Sequence, residues 1–142
     1  MMLVDTNVYV NAFRSENDRH KEYRAWLDDV INGFQAYAVA DFVINGFLRV
    51  VTNPRAYKEP APIDTALEFA DHVRNQPHAI VVAPGERHWQ IFSALCEGAG
   101  AVGKLVPDAY LAALAIEHGC EFVTCDGDFG KFPGLRWRHP LK

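Results

Sequence analysis

The chain has 142 residues, of which 49% are hydrophobic and 23% charged; that is one domain's worth, and it excludes both a disordered chain and a core needing disulfide or metal staples. A formal net charge of −4 excludes a global basic field, so any nucleic acid has to be held by local cations. No apolar run reaches the roughly 18 residues of a membrane span, and Met1-Met2-Leu3-Val4-Asp5 lacks the basic start and long apolar stretch of a secretory signal.

Three cysteines, Cys96, Cys120 and Cys125, are an odd count that fits a reducing cytoplasm better than a disulfide framework. The Cys120–Cys125 spacing has no second pair to complete a zinc site. The chain is therefore expected to be cytoplasmic, with no membrane partner.

Periodicity alternates between short strands and helices. Met2-Leu3-Val4 reads as a buried strand that ends at Asp5. Tyr23, Trp26, Leu27, Val30 and Ile31 fall on one helical stripe, stopped by Gly33. Ala36–Val39 is a second strand. Ile44, Phe47, Leu48 and Val51 mark a helix that must end before Asn53-Pro54. Ile63, Ala66, Leu67, Ala70 and Val73 mark the next. Ala79–Ala83 is a strand closed by Pro84-Gly85, and Trp89, Phe92 and Cys96 mark a helix ending near Gly98.

The glycine-rich stretch Gly98–Gly103 has the spacing of a phosphate-binding loop, but Leu105 follows Lys104 where Ser or Thr is required. Pro107-Asp108 then opens a helix that is apolar nearly all round through Ile116, which predicts burial on most sides. Glu121–Thr124 is a strand ending near Asp126, and Leu135–Arg138 forms a last one. Strands separated by helices predict a single α/β domain over residues 1–142 with a mostly parallel sheet.

The acids fall at element ends. Asp5 follows the first strand, Asp126 follows the strand through Thr124, and Asp108 lies in the first turn of a helix. In a parallel α/β sheet the carboxyl ends of the strands share one edge, and the crossover helices begin there. Three acids far apart in sequence can thus converge, and clustered oxygen ligands suit Mg²⁺ or Mn²⁺. Asp128 stands two residues beyond Asp126 and offers another ligand or a base. Each acid also has a structural reading: Asp5 as a helix cap, Asp108 as a complement to a helix dipole, Asp126-Gly127 as a turn pair.

These residues resemble the PIN domain, and within it the VapC toxins of bacterial toxin–antitoxin pairs. Leu3–Val8 resembles the opening strand with its first metal acid. Gly46–Arg55 is similar to the middle helix and its exit in one VapC branch. Pro107–Ala115 resembles the helix carrying another metal acid, and Val123–Phe129 with Phe132–Leu135 resembles the closing signature. The resemblance implies a three-layer α/β/α sandwich and a Mg²⁺-dependent endoribonuclease toxin, with Mn²⁺ as a substitute. It further implies a homodimer neutralised by a cognate VapB-like antitoxin. Carried over by position, Asp5 and Asp108 are the principal metal ligands, Asp126 completes the pocket, and Thr124 and Asn7 orient water or an acid.

One position departs from the pattern. Many family members carry a glutamate in the middle helix where this chain has Gly46. Asp41, five residues earlier, points about 140° away round a helix and cannot substitute. Asp128 is the nearest candidate to compensate. Arg49 and Arg55, along and after the middle helix, are candidate contacts for RNA phosphates. The six histidines form no HExxH pair and read as solvated or capping groups, while Trp26 and Trp89 read as core or dimer contacts.

Two other functions deserve weighing. An aspartyl-phosphate phosphatase wants a second acid two residues after the first strand's Asp, and residue 7 is Asn. A PIN-fold interaction module with a decayed metal site is favoured only by Gly46. For a partner's docking groove, the exposed edge of the Tyr23–Ile31 helix and the Phe42–Val51 helix are the candidates. A partner arginine there could occupy the metal's place by pairing with the acids.

Overall fold

The computed structural model describes all 142 residues. In chain order the elements are β1 (Met2–Val4), α1 (Thr6–Phe13), α2 (His20–Asn32), β2 (Tyr37–Ala40), α3 (Asp41–Val51), α4 (Ile63–Arg74), β3 (Ala79–Val82), α5 (His88–Ala99), α6 (Leu105–Glu117), β4 (Glu121–Val123), a 3-10 turn over Gly127–Lys131, and β5 (Trp137–Arg138). The five strands form one sheet in the order β3-β2-β1-β4-β5, with every pair parallel. The expected α/β/α sandwich is the observed architecture.

The strand order explains where a site can form. From β1 the chain steps outward to β2 and β3, then crosses back to β4 and β5 on the other side. The direction of winding reverses between β1 and β4, and a crevice opens outside their carboxyl ends. Right-handed crossovers place α1 to α4 on one face and α5 with α6 on the other, in line with the packing of α1 on α2 and α3, and of α5 on α6.

The central strands are buried on both sides, as their unbroken apolar runs require: Leu3, Val4, Ala38, Val39, Phe122 and Val123 are all sealed from water. Helix α6 matches its all-round apolar sequence, with Ala109, Leu111, Ala112, Ala113, Leu114 and Ala115 buried. Its four alanines allow close approach to the sheet.

Several boundaries differ from the sequence reading. Helix α6 starts at Leu105 rather than at Pro107; a proline in the first turn costs nothing, because those N–H groups have no partner four residues back. Helix α5 runs one residue past Gly98 and stops where Gly100 turns left-handed, with φ 58°. On α4, Ala66, Ala70 and Val73 face the core, but Ile63 and Leu67 are largely exposed. Trp89 is 71% exposed and is no core residue, whereas Trp26 packs partly against the core. His88, expected in solvent, is buried. Its Nε2 lies 3.0 Å from the Tyr110 carbonyl and its ring packs on Phe92 and Tyr110.

Candidate active site

Asp5 leaves the end of β1 at the reversal point and is buried. Its carboxylate caps α1, accepting the Thr6 N–H on Oδ1 at 2.7 Å. Oδ2 accepts the Thr124 hydroxyl at 2.7 Å. That hydroxyl in turn accepts the Asn7 amide at 3.2 Å and the Asp126 N–H at 3.1 Å. Asn7 closes the loop by accepting the Cys125 N–H at 3.2 Å. The ends of β1 and β4 are thus tied by a polar network, and Asp5 is fixed from both sides. Each carboxylate oxygen keeps a lone pair for a further partner.

The outer acids gather round one lysine. Lys104 Nζ donates to Asp108 Oδ2 at 2.9 Å and to Asp126 Oδ2 at 2.6 Å, and stands 3.9 Å from Asp128 Oδ2. The side chains of Asp108 and Asp126 are 13% and 27% exposed, that of Asp128 52%. Asp126 also caps the 3-10 turn, accepting the Asp128 N–H at 2.9 Å. Asp5 and Asp126 thus cap local structure as their structural reading expects, and each still has its second carboxylate oxygen among the clustered groups. Asp108 caps nothing, since Lys104 is the residue before the helix.

Burial decides the electrostatics. Asp5 is pushed up to about 6, chiefly by loss of water; the bonds from Thr124 and Thr6 oppose this, and the charges of Asp108 and Asp126 add to it. Asp108 is also raised by burial, against the pull of Lys104. Asp126 is more open and closer to the ammonium, and the Lys104 hydrogen bond holds it below its ordinary value. The same two acids hold Lys104 above its own.

A pocket of about 340 Å³ lies beside these acids, lined by Asp5, Thr6, Phe42, Asn45, Gly46, Arg49, Pro107, Asp108 and Leu111. Arg49 lines the same pocket as Asp5 and Asp108. Arg55 does not line the pocket; it lies in the turn after α3, where its N–H is held by the Asn53 side chain at 2.9 Å. Asp41 is occupied elsewhere, paired with Arg74 at 2.9 Å.

Gly46 has a local cause. A Cβ built there would meet Thr6 Oγ1 at 2.9 Å and Thr6 Cγ2 at 3.4 Å. The Thr6 hydroxyl is itself bonded to the Val43 carbonyl at 3.1 Å. Helices α1 and α3 thus touch at Thr6 and Gly46, and the threonine occupies the space a larger residue would need. Neither Asp126 nor Asp128 lines this pocket; both belong to the group of acids around Lys104 at its edge.

No three acidic, histidine or cysteine side chains close into a ready cage for a metal ion. The donors fit a hard divalent cation all the same: they are carboxylate oxygens only, and Asp108, Asp126 and Asp128 already surround a cationic stand-in, the Lys104 ammonium. Sequence reasoning did not name Lys104 as a site residue; its signal was a cation four residues before Asp108, at the entry to that helix. It also passed over Thr6 and Asn45.

An all-parallel five-stranded sheet with acids gathered at its reversal point and an oxygen-only donor set define the class: an α/β/α domain with an acidic pocket at the carboxyl ends of its strands. The PIN domain family model matches residues 2–135. Ribonuclease VapC25 of Mycobacterium tuberculosis is 38% identical over 140 residues, covering 99% of each chain. VapC ribonuclease Mb2897 of Mycobacterium bovis is 40% identical over 141 residues, covering 99% of this chain and 96% of the relative. The chain belongs to the PIN domain family, in its VapC ribonuclease branch.

Solved structures share the fold at lower identity. VapBC2 from Rickettsia felis, bound to a DNA fragment from its promoter, aligns with a TM-score of 0.68 at 17% identity over 97% of each chain. VapC20 of Mycobacterium tuberculosis, a sarcin-ricin loop cleaving toxin, aligns at 0.65 with 17% identity, over 96% of this chain and 99% of that one.

Proposed function

We propose that this chain is the toxin of a toxin–antitoxin pair: a Mg²⁺-dependent endoribonuclease, with Mn²⁺ able to substitute, that hydrolyses RNA phosphodiester bonds. The observation that carries the reading is the convergence of Asp5, Asp108 and Asp126 at the reversal point of the sheet, with a cation among the outer two. Asp5, Asp108 and Asp126 would hold the divalent ion. When bound, it supplies charge for the phosphoryl oxygens and a more acidic water.

The chain's own residues do the rest. Thr124 and the Thr6 N–H aim the Asp5 carboxylate, and Asn7 keeps Thr124 in place. Arg49, which lines the same pocket as Asp5 and Asp108, offers a local cation for an RNA phosphate in a chain whose net charge is −4. The chain works in the cytoplasm as one domain, and a VapB-like antitoxin holds it inactive. A second copy pairs along the aromatic row of Phe42, Tyr110, Phe92 and Trp89, exposed at its two ends and half-buried at Tyr110 and Phe92, with successive ring centroids 4.7, 5.8 and 5.7 Å apart.

The test is incubation of the purified chain with total cellular RNA, with and without Mg²⁺, followed by mapping of the cut ends. Discrete Mg²⁺-dependent ends are expected from the wild type. Asp5→Asn and Asp108→Asn should each lose at least about a hundredfold in rate, the scale of removing one group that stabilises charge in the transition state. Full activity in Asp108→Asn overturns the assignment. The absence of an acid at residue 46 favours the second reading, an interaction module with a decayed site; that reading requires that Mn²⁺ produce no binding heat.

A further inference from the structure

Lys104 stands at the hinge between a glycine loop and α6. Gly100 and Gly103 both adopt left-handed backbone, with φ 58° and 55°, which turns the chain so that Lys104 precedes α6 by one residue. From there it lies one helical turn before Asp108, and its ammonium reaches sideways to Asp126 on the β4 side. It bridges two acids that come from different elements, and it stands 3.9 Å from a third.

A simple surface ion pair does not account for this. Lys131, in the 3-10 turn beside Asp128, approaches only that acid, at 3.9 Å. Lys104 instead contacts the two outer acids that the metal-dependent reading requires. The lone pairs it uses and the positive charge it brings are in direct competition with a divalent ion at the same oxygens. Its side chain is 64% exposed, so it can swing into water without uncovering apolar surface.

Resting on that metal-dependent reading, we propose that Lys104 is a built-in competitor for the metal. In the metal-free chain its ammonium holds Asp108 and Asp126 together, and it leaves when a divalent ion enters. The loading threshold of the site is thereby set by a residue that is not a ligand.

The experiment is calorimetric titration of Mn²⁺ into the full chain, for wild type, Lys104→Gln and Lys131→Gln, with urea unfolding of each in EDTA. Lys104→Gln should bind Mn²⁺ about tenfold more tightly, equivalent to about 1.4 kcal/mol. It should also be less stable than wild type in EDTA, while Lys131→Gln changes neither quantity. Binding by Lys104→Gln alone, with none in wild type, is the same result in stronger form. Unchanged or weaker binding in Lys104→Gln overturns the proposal and leaves the metal reading intact, because wild type binds. Equal tightening in both variants assigns the effect to general charge and overturns it too. No Mn²⁺ binding by any of the three overturns the metal reading along with it.

Discussion

At Asp5 one carboxylate serves the fold and the site at once. It caps α1 and holds Thr124, yet it is buried, so its charge is a burden on the metal-free chain. Its value rises from 3.8 to about 6 on folding. Between those limits the folded chain keeps a proton that the unfolded chain has lost. The stability this group contributes is therefore full below about pH 4 and is lost as pH rises through 6, by about 3 kcal/mol. Asparagine has no such proton. In EDTA, Asp5→Asn should gain on wild type as pH is raised from 4 to 6 and hold its lead above that. Urea midpoints across the range check this; a gap independent of pH contradicts it. A second residue carries a plainer cost. The Tyr9 hydroxyl is buried without a hydrogen-bond partner, so Tyr9→Phe should raise stability by about 1 kcal/mol, read as a higher urea midpoint with unchanged slope.

Between elements, the contact of α1 with α3 at Thr6 and Gly46 decides which residue the pocket wall can carry. In an ordinary helix Gly→Ala stabilises by about 0.5–1 kcal/mol. Here the added Cβ meets Thr6 Oγ1 at 2.9 Å, and overpacking of this kind costs about 1–3 kcal/mol. Gly46→Ala should be destabilising alone and neutral or stabilising on a Thr6→Ala background. A double-mutant cycle by urea unfolding checks the coupling, and additive effects would refute the contact. The same contact bars an acid from this wall of the pocket: a side chain at 46 needs the space of Thr6. On the opposite face Glu117 plays a comparable part in joining elements. Its buried carboxylate accepts the N–H groups of Gly85 at 2.8 Å and Arg87 at 3.0 Å, and Arg87 returns a bond to the Glu117 carbonyl at 2.8 Å. Its value is held down by these bonds against the effect of burial.

On the scale of the whole molecule, apolar surface is left outside. Trp89 is 71% exposed, and Ile80 and Val81 on the edge strand β3 are 46% and 45% exposed. If a second copy covers this side, Trp89→Glu should convert the chain to a monomer at micromolar concentration, measured by sedimentation. A wild-type monomer, or a Trp89→Glu dimer, contradicts the proposed pairing. Lys104 also revises the expectation of how a partner inhibits. The outer acids are already paired within the chain, so a partner's arginine would have to displace the lysine rather than fill a bare anionic pocket. No helix is long and apolar enough to cross a membrane.

The alternation of strands and helices along the chain, apart from α1, the burial of α6 and the placing of three acids at element ends were legible in the sequence, because periodicity and breakers act locally. The motifs around Asp5, Asp108 and Asp126 were legible for the same reason: each sits within a few residues of a recognisable element end. Helix α1 carried no stripe to read, since its buried residues Val8, Tyr9, Val10 and Ala12 wrap most of its surface. Tertiary structure alone decided that Lys104 bridges acids 22 and 4 residues away, that Thr6 fills the space at Gly46, and that Thr124 joins Asp5 across 119 residues. These contacts depend on which strand ends become neighbours, and strand order is set by the packing of all the crossovers together rather than by any one segment.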